Sequence, residues 1–136
     1  MVSSFQLKFP APHPTLAPRD VINMQLDALQ NNDLTEDDAG FRAAFAFASP
    51  QARNITGSVD AFRDLLHSPL YSTLLGFERA HIDQINYGSN RAQADVRIYT
   101  PRGTTARFIF TLSLQGYIRH GRRRRCWLID GLLPMA

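Results

Sequence analysis

"RAQADVRIY", residues 91–99, decides the fold, because its apolar and polar residues alternate one by one. The apolar set is Ala92, Ala94, Val96 and Ile98, and the polar set is Arg91, Gln93, Asp95 and Arg97. A period of two is typical of a β-strand with one buried face. The segment "RFIFTLSLQ", residues 107–115, repeats the pattern after a short connection that contains Pro101 and Gly103. The two segments therefore predict neighbouring antiparallel strands.

Two further segments extend the predicted sheet to at least four strands. "FERAHIDQINY", residues 77–87, precedes the central pair, and Gly88, Ser89 and Asn90 make a hairpin-like connection to it. "CWLIDGLL", residues 126–133, follows the central pair. Strand periodicity thus begins after Gly76 and continues to the last residues.

Helical periodicity fills the first half of the chain. Proline, asparagine and capping residues predict three helices. They run from Pro18 to Asn31, from Thr35 to Ser49 and from Ser58 to Pro69. The polar stretch "QARNITG", residues 51–57, is expected to be a link between the second helix and the third. The prediction is an α+β domain, residues 18–136, with three N-terminal helices on a curved antiparallel sheet, preceded by a flexible arm, residues 1–17.

The segments "VINMQLDALQNND", "FASPQARNITG" and "CWLIDG" carry a family resemblance. In this order they resemble the nuclear transport factor 2-like superfamily, whose fold is an α+β cone. Within it, the chain is most similar to an uncharacterised family of domains of unknown function. The resemblance implies a cone whose mouth can hold a small ligand. It leaves the function open, because members include isomerases, dehydratases and dimerisation modules.

Composition and charge narrow the class of protein. The chain has 136 residues, 44% hydrophobic and 20% charged, which is typical of one globular domain. Its longest apolar run, residues 43–48, is too short to span a bilayer. No secretory signal is expected at the N-terminus, and the single cysteine, Cys126, fits a reducing compartment. We therefore expect a cytoplasmic protein without a membrane partner.

Catalytic candidates are few. The resemblance implies that an enzyme of this superfamily would hold an acid, with a tyrosine or histidine, inside the cone. The apolar faces of the two clearest strands offer no such group, which argues against catalysis unless a bulge changes the facing of a strand. Asp130, Tyr71 and His67 are the candidates for an isomerase or lyase. The alternative for Asp130 is a turn hydrogen bond, and for His67 a favourable interaction with the helix dipole.

Ligand-binding candidates include one polar residue on an apolar helical face. Gln25 is either a buried hydrogen-bonding anchor or a pocket residue. Arg53 and Asn54 would contact an anionic ligand or order their loop, and Tyr71 and Asp130 complete the predicted ligand-binding set. No cofactor is expected. No metal is expected either, because the pair His81 and Asp83 lacks a third ligand.

Four consecutive arginines precede Cys126 in "RHGRRRRCWLID", residues 119–130. The chain from Val96 to Ile129 contains eight arginines and no acid. Arg122, Arg123, Arg124 and Arg125 are predicted to form an exposed hairpin tip around the turn residue Gly121, between strands ending near Gly116 and beginning near Cys126. Their charge predicts weak binding of polyanions and no specific nucleic-acid partner, because the basic residues concentrate in one loop.

The function predicted from these features is a non-catalytic module that binds a small apolar ligand or dimerises. An isomerase or lyase with an acid at the cone mouth is the alternative, and weak polyanion binding is a further one. A homodimer is expected because related domains pair through the sheet, and because Ile109 interrupts the polar outward face of its strand.

Overall fold

The computed structural model describes residues 9–135 and contains four α-helices followed by a four-stranded antiparallel sheet. The helices are α1 (Pro18–Gln30), α2 (Ala39–Ala46), α3 (Pro50–Thr56) and α4 (Val59–Leu66), with single 3₁₀ turns at Asn32–Leu34 and Ser72–Leu74. The strands are β1 (Arg79–Gly88), β2 (Arg91–Tyr99), β3 (Thr105–Arg119) and β4 (Arg122–Met135). The predicted α+β class, with helices before the sheet, is confirmed.

The sheet is a meander in which each strand pairs with the next along the chain. Ala94 pairs with Phe110 and Val96 pairs with Phe108, so that the apolar faces of β2 and β3 coincide. All four of these side chains are buried under the helices. The alternation in residues 91–99 therefore does mark a strand with one buried face, as predicted.

The helices cover this face with a continuous apolar core. α1 contributes Val21, Ile22 and Leu29, and α2 contributes Phe41. The two helices approach closely at Gly40, where an added Cβ would lie 2.4 Å from the main-chain oxygen of Ala28. Glycine is required there because no side chain fits between the two backbones.

The predicted link at residues 51–57 forms a helix, so residues 9–135 contain four α-helices where three were expected. Ser49 caps α3 by accepting a hydrogen bond from the backbone N–H of Ala52 (3.2 Å), and Pro50 occupies the first helical position. Proline fits that position because its missing N–H would have no helical partner. Ser49 and Pro50 thus begin one helix, whereas the prediction used them only to end another.

The start of α2 also differs from the prediction. Asp38 precedes the helix in a left-handed conformation (φ 56°), and no side-chain cap is formed there. The hydroxyl of Thr35 donates instead to the main-chain oxygen of Asn32 (2.6 Å). Ser58, in contrast, caps α4 as predicted, accepting from the N–H of Ala61 (3.1 Å).

The predicted N-terminal arm, residues 1–17, lies partly outside the described residues, which begin at Phe9. Phe9 and Leu16 pack against the helical core. Within residues 9–135, none of the helices has the length and apolar character needed to cross a membrane.

Candidate ligand-binding cleft

Main-chain hydrogen bonds join β4 to the connection between α2 and α3. The N–H of Ile129 donates to the carbonyl of Phe47 (2.7 Å), and the N–H of Ser49 donates to the carbonyl of Ile129 (2.9 Å). Ala48 and Ile129 form a parallel bridge at this point. The helical layer is thereby fixed against the middle of β4.

A cleft opens beside this bridge, between the helices and residues 129–133 of β4; we call it the β4 cleft. Its volume is about 190 Å³. Its apolar walls include Phe45, Phe62, Leu66, Ile129 and Leu132, and its polar wall residues are Gln25, Thr56, Tyr71 and Asp130. An engineered apolar cavity of about 150 Å³ holds benzene, whereas pockets for drug-sized ligands begin near 300 Å³. The β4 cleft therefore has room for a molecule of about one ring.

Gln25 lies in the middle of α1 and is only 1% exposed. Its Nε2 donates to the main-chain oxygen of Ala44 in α2 (3.1 Å), which fixes the orientation of the amide. Its Oε1 is buried and has no hydrogen-bond partner among the described residues. A buried acceptor left unpaired costs about 1–3 kcal/mol. Gln25 is thus both an anchor to α2 and a cleft residue, the two roles that the sequence analysis held apart.

Asp130 occupies a β-bulge in β4. Thr111 pairs with Gly131 and Leu112 pairs with Ile129, so Asp130 is the extra residue between these pairs. Its Oδ1 accepts a hydrogen bond from the hydroxyl of Ser113 (2.9 Å). Asp130 lines both the β4 cleft and a neighbouring surface depression that includes Gln51 and Thr111.

Tyr71 follows α4 and closes the cleft from the helical side. Its hydroxyl donates to the main-chain oxygen of Leu132 (2.9 Å), and its ring lies 6.1 Å from that of Phe108. Burial raises the pKa of the Tyr71 hydroxyl above its ordinary value. The hydroxyl is therefore protonated at neutral pH and already donates to the protein main chain.

Three predicted site residues do not line the β4 cleft. His67 ends α4, is exposed, and its Nδ1 bonds the main-chain oxygen of Arg63 (2.9 Å). Arg53 donates to the main-chain oxygens of Ala46 (3.0 Å) and Ala48 (3.2 Å). Its guanidinium also lies 5.5 Å from the ring centre of Phe45. Arg53 therefore orders the α2–α3 connection, the alternative role that the sequence analysis named for it.

The third is Asn54, which is exposed on α3. The structure thus groups Gln25, Tyr71 and Asp130 in one site and leaves His67, Arg53 and Asn54 outside its walls.

The pair His81 and Asp83 forms part of an ion-pair cluster. Nε2 of His81 lies 3.3 Å from Asp83, and the guanidinium of Arg97 lies 3.2 Å from the same carboxylate. Between residues 9 and 135, no group of three or more histidine, cysteine or acidic side chains is arranged to hold a metal ion.

The arginine-rich tip is a two-stranded ribbon, residues 116–125, that continues β3 and β4 beyond their pairing with β2; we call it the arginine ribbon. The last pair between β2 and β3 is Arg91 with Ser113, whereas β3 and β4 stay paired to Arg119 and Arg122. The turn consists of His120 and Gly121, with φ of 53° and 73°. Gly121 is a turn residue as predicted. The two strands, however, extend beyond the predicted ends near Gly116 and Cys126, so the tip is narrower than predicted.

All four consecutive arginines of the ribbon are exposed. Arg122 and Arg124 lie beside Tyr117, Arg119 and His13 around a surface groove of about 780 Å³. Cys126, at the base of the ribbon, is buried, and burial raises the pKa of its thiol. Cys126 is therefore a small buried residue, as expected from the sequence.

Two site features escaped the sequence analysis. Ala52 and Ile55 line the cleft from α3, which the sequence analysis expected to be a link, although Pro50 directly after Ser49 is a helix-start signal. Ser113, the buried partner of Asp130, falls on the polar face of its strand, and nothing in its spacing distinguishes it from its neighbours.

Comparison with known families places the chain in a family. A family model described as "Domain of unknown function (DUF4864)" matches residues 14–133. No curated protein and no solved structure matches the chain.

Proposed function

We propose, from the premise that this chain belongs to the DUF4864 family of domains of unknown function, that it is a non-catalytic module whose β4 cleft binds a small apolar molecule. We also propose that the ligand is held in the mouth of a cone, as the resemblance to nuclear transport factor 2-like domains implies. The family description does not specify a ligand, and the support for a ligand comes from the cleft.

The apolar character of the cleft supports the proposal most directly. Its walls come from four helices and β4, and they remain open at a rim where Ile55 is 87% exposed. An apolar concavity open to solvent marks a binding site, because its surface is removed from water only when something occupies it.

Catalysis by the alternative mechanism, an isomerase or lyase, has weaker support. Asp130 accepts from Ser113, and the hydroxyl of Tyr71 donates to the carbonyl of Leu132. Both polar groups at the mouth are thus engaged by the protein. The third candidate, His67, lies outside the cleft walls.

Toluene is a suitable probe, because it has one ring and no hydrogen-bonding group. We expect a titration followed by ¹H–¹⁵N correlation spectra to shift the amide signals of α3, α4 and residues 129–133. Ala52→Phe should remove these shifts, because Ala52 lies in the cleft wall and its added ring would fill the space. Ala61→Phe is the matched control, since Ala61 is a half-buried helical alanine outside the cleft.

The proposal is wrong if toluene shifts no amide signals around the cleft at its aqueous solubility limit. It is also wrong if Ala52→Phe, folded as judged by its spectrum, keeps the same shifts as the unaltered protein.

A second proposal concerns the arginine ribbon, which would bind polyanions weakly and without sequence preference. Within residues 9–135, no ion pair involves Arg119 or any of the arginines at 122–125. The guanidinium groups therefore keep their full charge toward solvent. They project on a narrow ribbon, which offers few simultaneous phosphate contacts, so the binding should be salt-sensitive.

Two DNA duplexes of unrelated sequence test this second proposal. Replacing the arginines at 122–125 with serine should leave the fold unchanged. It should also make the slope of log K against log salt concentration shallower, by the equivalent of up to about four phosphate contacts. The matched control replaces four exposed arginines elsewhere, namely Arg19, Arg42, Arg91 and Arg102. Tight binding of one duplex and not the other at 150 mM salt, on the order of physiological ionic strength, would contradict the proposal.

A third proposal is a homodimer through the outer face of the sheet. Ile109 pairs with Leu133 and Arg107 pairs with Met135, and Leu133 and Met135 are 56% and 46% exposed. The single apolar residue noticed in the sequence thus belongs to a small apolar patch. Such a patch favours pairing with a second copy when no other protein surface covers it.

Analytical ultracentrifugation tests the dimer. We expect a species of about twice the 15.3 kDa chain at micromolar concentration, and a monomer after Ile109→Glu. Ile118→Glu is the control, because Ile118 is also exposed but lies on the arginine ribbon. A monomer in the unaltered protein would refute the third proposal.

A further inference from the structure

Gln25 gives the β4 cleft a chemical preference that its apolar walls alone would lack. The side chain is buried in the middle of an amphipathic helix, where an apolar residue would be the ordinary choice. Its amide is held at one end only, by the hydrogen bond from Nε2 to Ala44 in α2. The other end of the amide has no partner among residues 9–135.

The orientation of this amide follows from the group that it faces. The main-chain oxygen of Ala44 is an acceptor, so the amide nitrogen must point toward it. This oxygen also accepts from the N–H of Phe47 (3.1 Å), where α2 ends. Flipping the amide would bring two oxygens together. The amide atom without a partner is therefore Oε1, which can only accept a hydrogen bond, and Gln25 is a residue of the cleft wall.

The remaining walls restrict what would donate to it. Among residues 9–135, no lysine, arginine or histidine lines the cleft, and the acidic Asp130 does. An anionic ligand would therefore meet a like charge and no cation. Tyr71 is not the missing donor, because its hydroxyl donates to Leu132.

We propose that the ligand of the β4 cleft is a neutral, roughly single-ring molecule with a hydroxyl or N–H group that donates to Oε1 of Gln25. This inference rests on the proposed function and adds the chemical class of the ligand. The volume of about 190 Å³ sets the size, the walls set the apolar body, and Gln25 sets the polar end.

Phenol and toluene form a matched pair of probes, because they have the same number of heavy atoms and differ in a hydroxyl for a methyl group. Toluene is the more apolar of the two, so a cleft without an acceptor would prefer toluene. We expect the protein to bind phenol roughly five- to tenfold more tightly, since one satisfied buried hydrogen bond gives a factor of this order. Anisole, which cannot donate, should behave like toluene.

Two variants assign the preference to Gln25. Gln25→Met keeps the length of the side chain and removes the acceptor, so the ratio of phenol to toluene affinity should fall to one or below. Gln51→Met is the matched control and should keep the ratio, because Gln51 is an exposed glutamine on α3 that does not line the cleft. The comparison of phenol, toluene and anisole on the unaltered protein tests the inference even if a variant does not fold.

The outcomes separate this inference from the proposed function. If toluene binds in the cleft at least as tightly as phenol, the inference is refuted and apolar binding stands. If neither probe binds, both are refuted. If Gln25→Met keeps the preference for phenol, Gln25 is not the acceptor and the assignment fails.

Discussion

Replacing Gln25 with methionine is expected to stabilise the protein in the absence of ligand. The change removes the buried Oε1, which has no partner among residues 9–135, and this relieves a cost of about 1–3 kcal/mol. It also removes the hydrogen bond from Nε2 to Ala44, a loss of about 0.5–1.5 kcal/mol. The oxygen of Ala44 keeps its bond from Phe47, so no new unpaired group is created.

The difference between these terms is a gain of about 1 kcal/mol in the free energy of unfolding. For a domain of this length, that gain raises Tm by about 4 °C. A residue that lowers stability while lining a cleft is typical of a binding site, because function maintains it against the cost.

Thermal and urea unfolding followed by circular dichroism measures the effect. Asn32→Leu is the matched control, because Asn32 is also buried but accepts a hydrogen bond from the N–H of Phe41 (2.9 Å). The free energy of unfolding of that variant should fall by about 1–3 kcal/mol, since the substitution leaves the N–H of Phe41 unpaired. If Gln25→Met instead lowers the free energy of unfolding by more than about 2 kcal/mol, the reasoning is refuted and Gln25 is only a structural anchor.

Three further predictions concern packing, ionisation and the bulge. Gly40→Ala should lower the free energy of unfolding in urea by at least about 1–3 kcal/mol, because the new Cβ would clash with the carbonyl of Ala28. Gly116→Ala is the control, since its new Cβ would lie 3.9 Å from the nearest atom and should not clash. The pKa of the Cys126 thiol is raised above its ordinary value of 9.0, so its contribution to stability is present below pH 9.0 and is lost as the pH rises through the raised value. Cys126→Ala should make alkaline unfolding less steep, and an unchanged slope would argue against a buried thiol. Asp130→Asn should keep the affinity for toluene and the thermal midpoint, because an asparagine oxygen still accepts from Ser113; a large loss of affinity would give Asp130 a direct role in binding.

The sheet could be predicted from the sequence because its evidence is local. Alternation in residues 91–99 and 107–115 follows directly from burial of one face, and the meander has only short connections. The helix α3 could not be separated from a loop by periodicity, because it has seven residues and none of them is fully buried. A capping serine and a proline were its only signals.

The candidate site was predictable only in part. Gln25 is conspicuous in the sequence as a polar residue on an apolar face, and Asp130 by its place at the end of an apolar run. Asp130 is the extra residue of a bulge in β4, opposite Thr111 and Leu112, and alternation alone does not reveal this bulge. The unpaired state of Oε1 depends on Ala44, nineteen residues away, and on the way in which α2 ends.

A crystal structure of the protein with phenol would show the ligand and its acceptor together. We expect one ring in the β4 cleft, between Phe62 and Ile129, with its hydroxyl within about 3.2 Å of Oε1 of Gln25. An empty cleft at a phenol concentration that saturates the solution titration, or a ring bound only elsewhere on the surface, would contradict it.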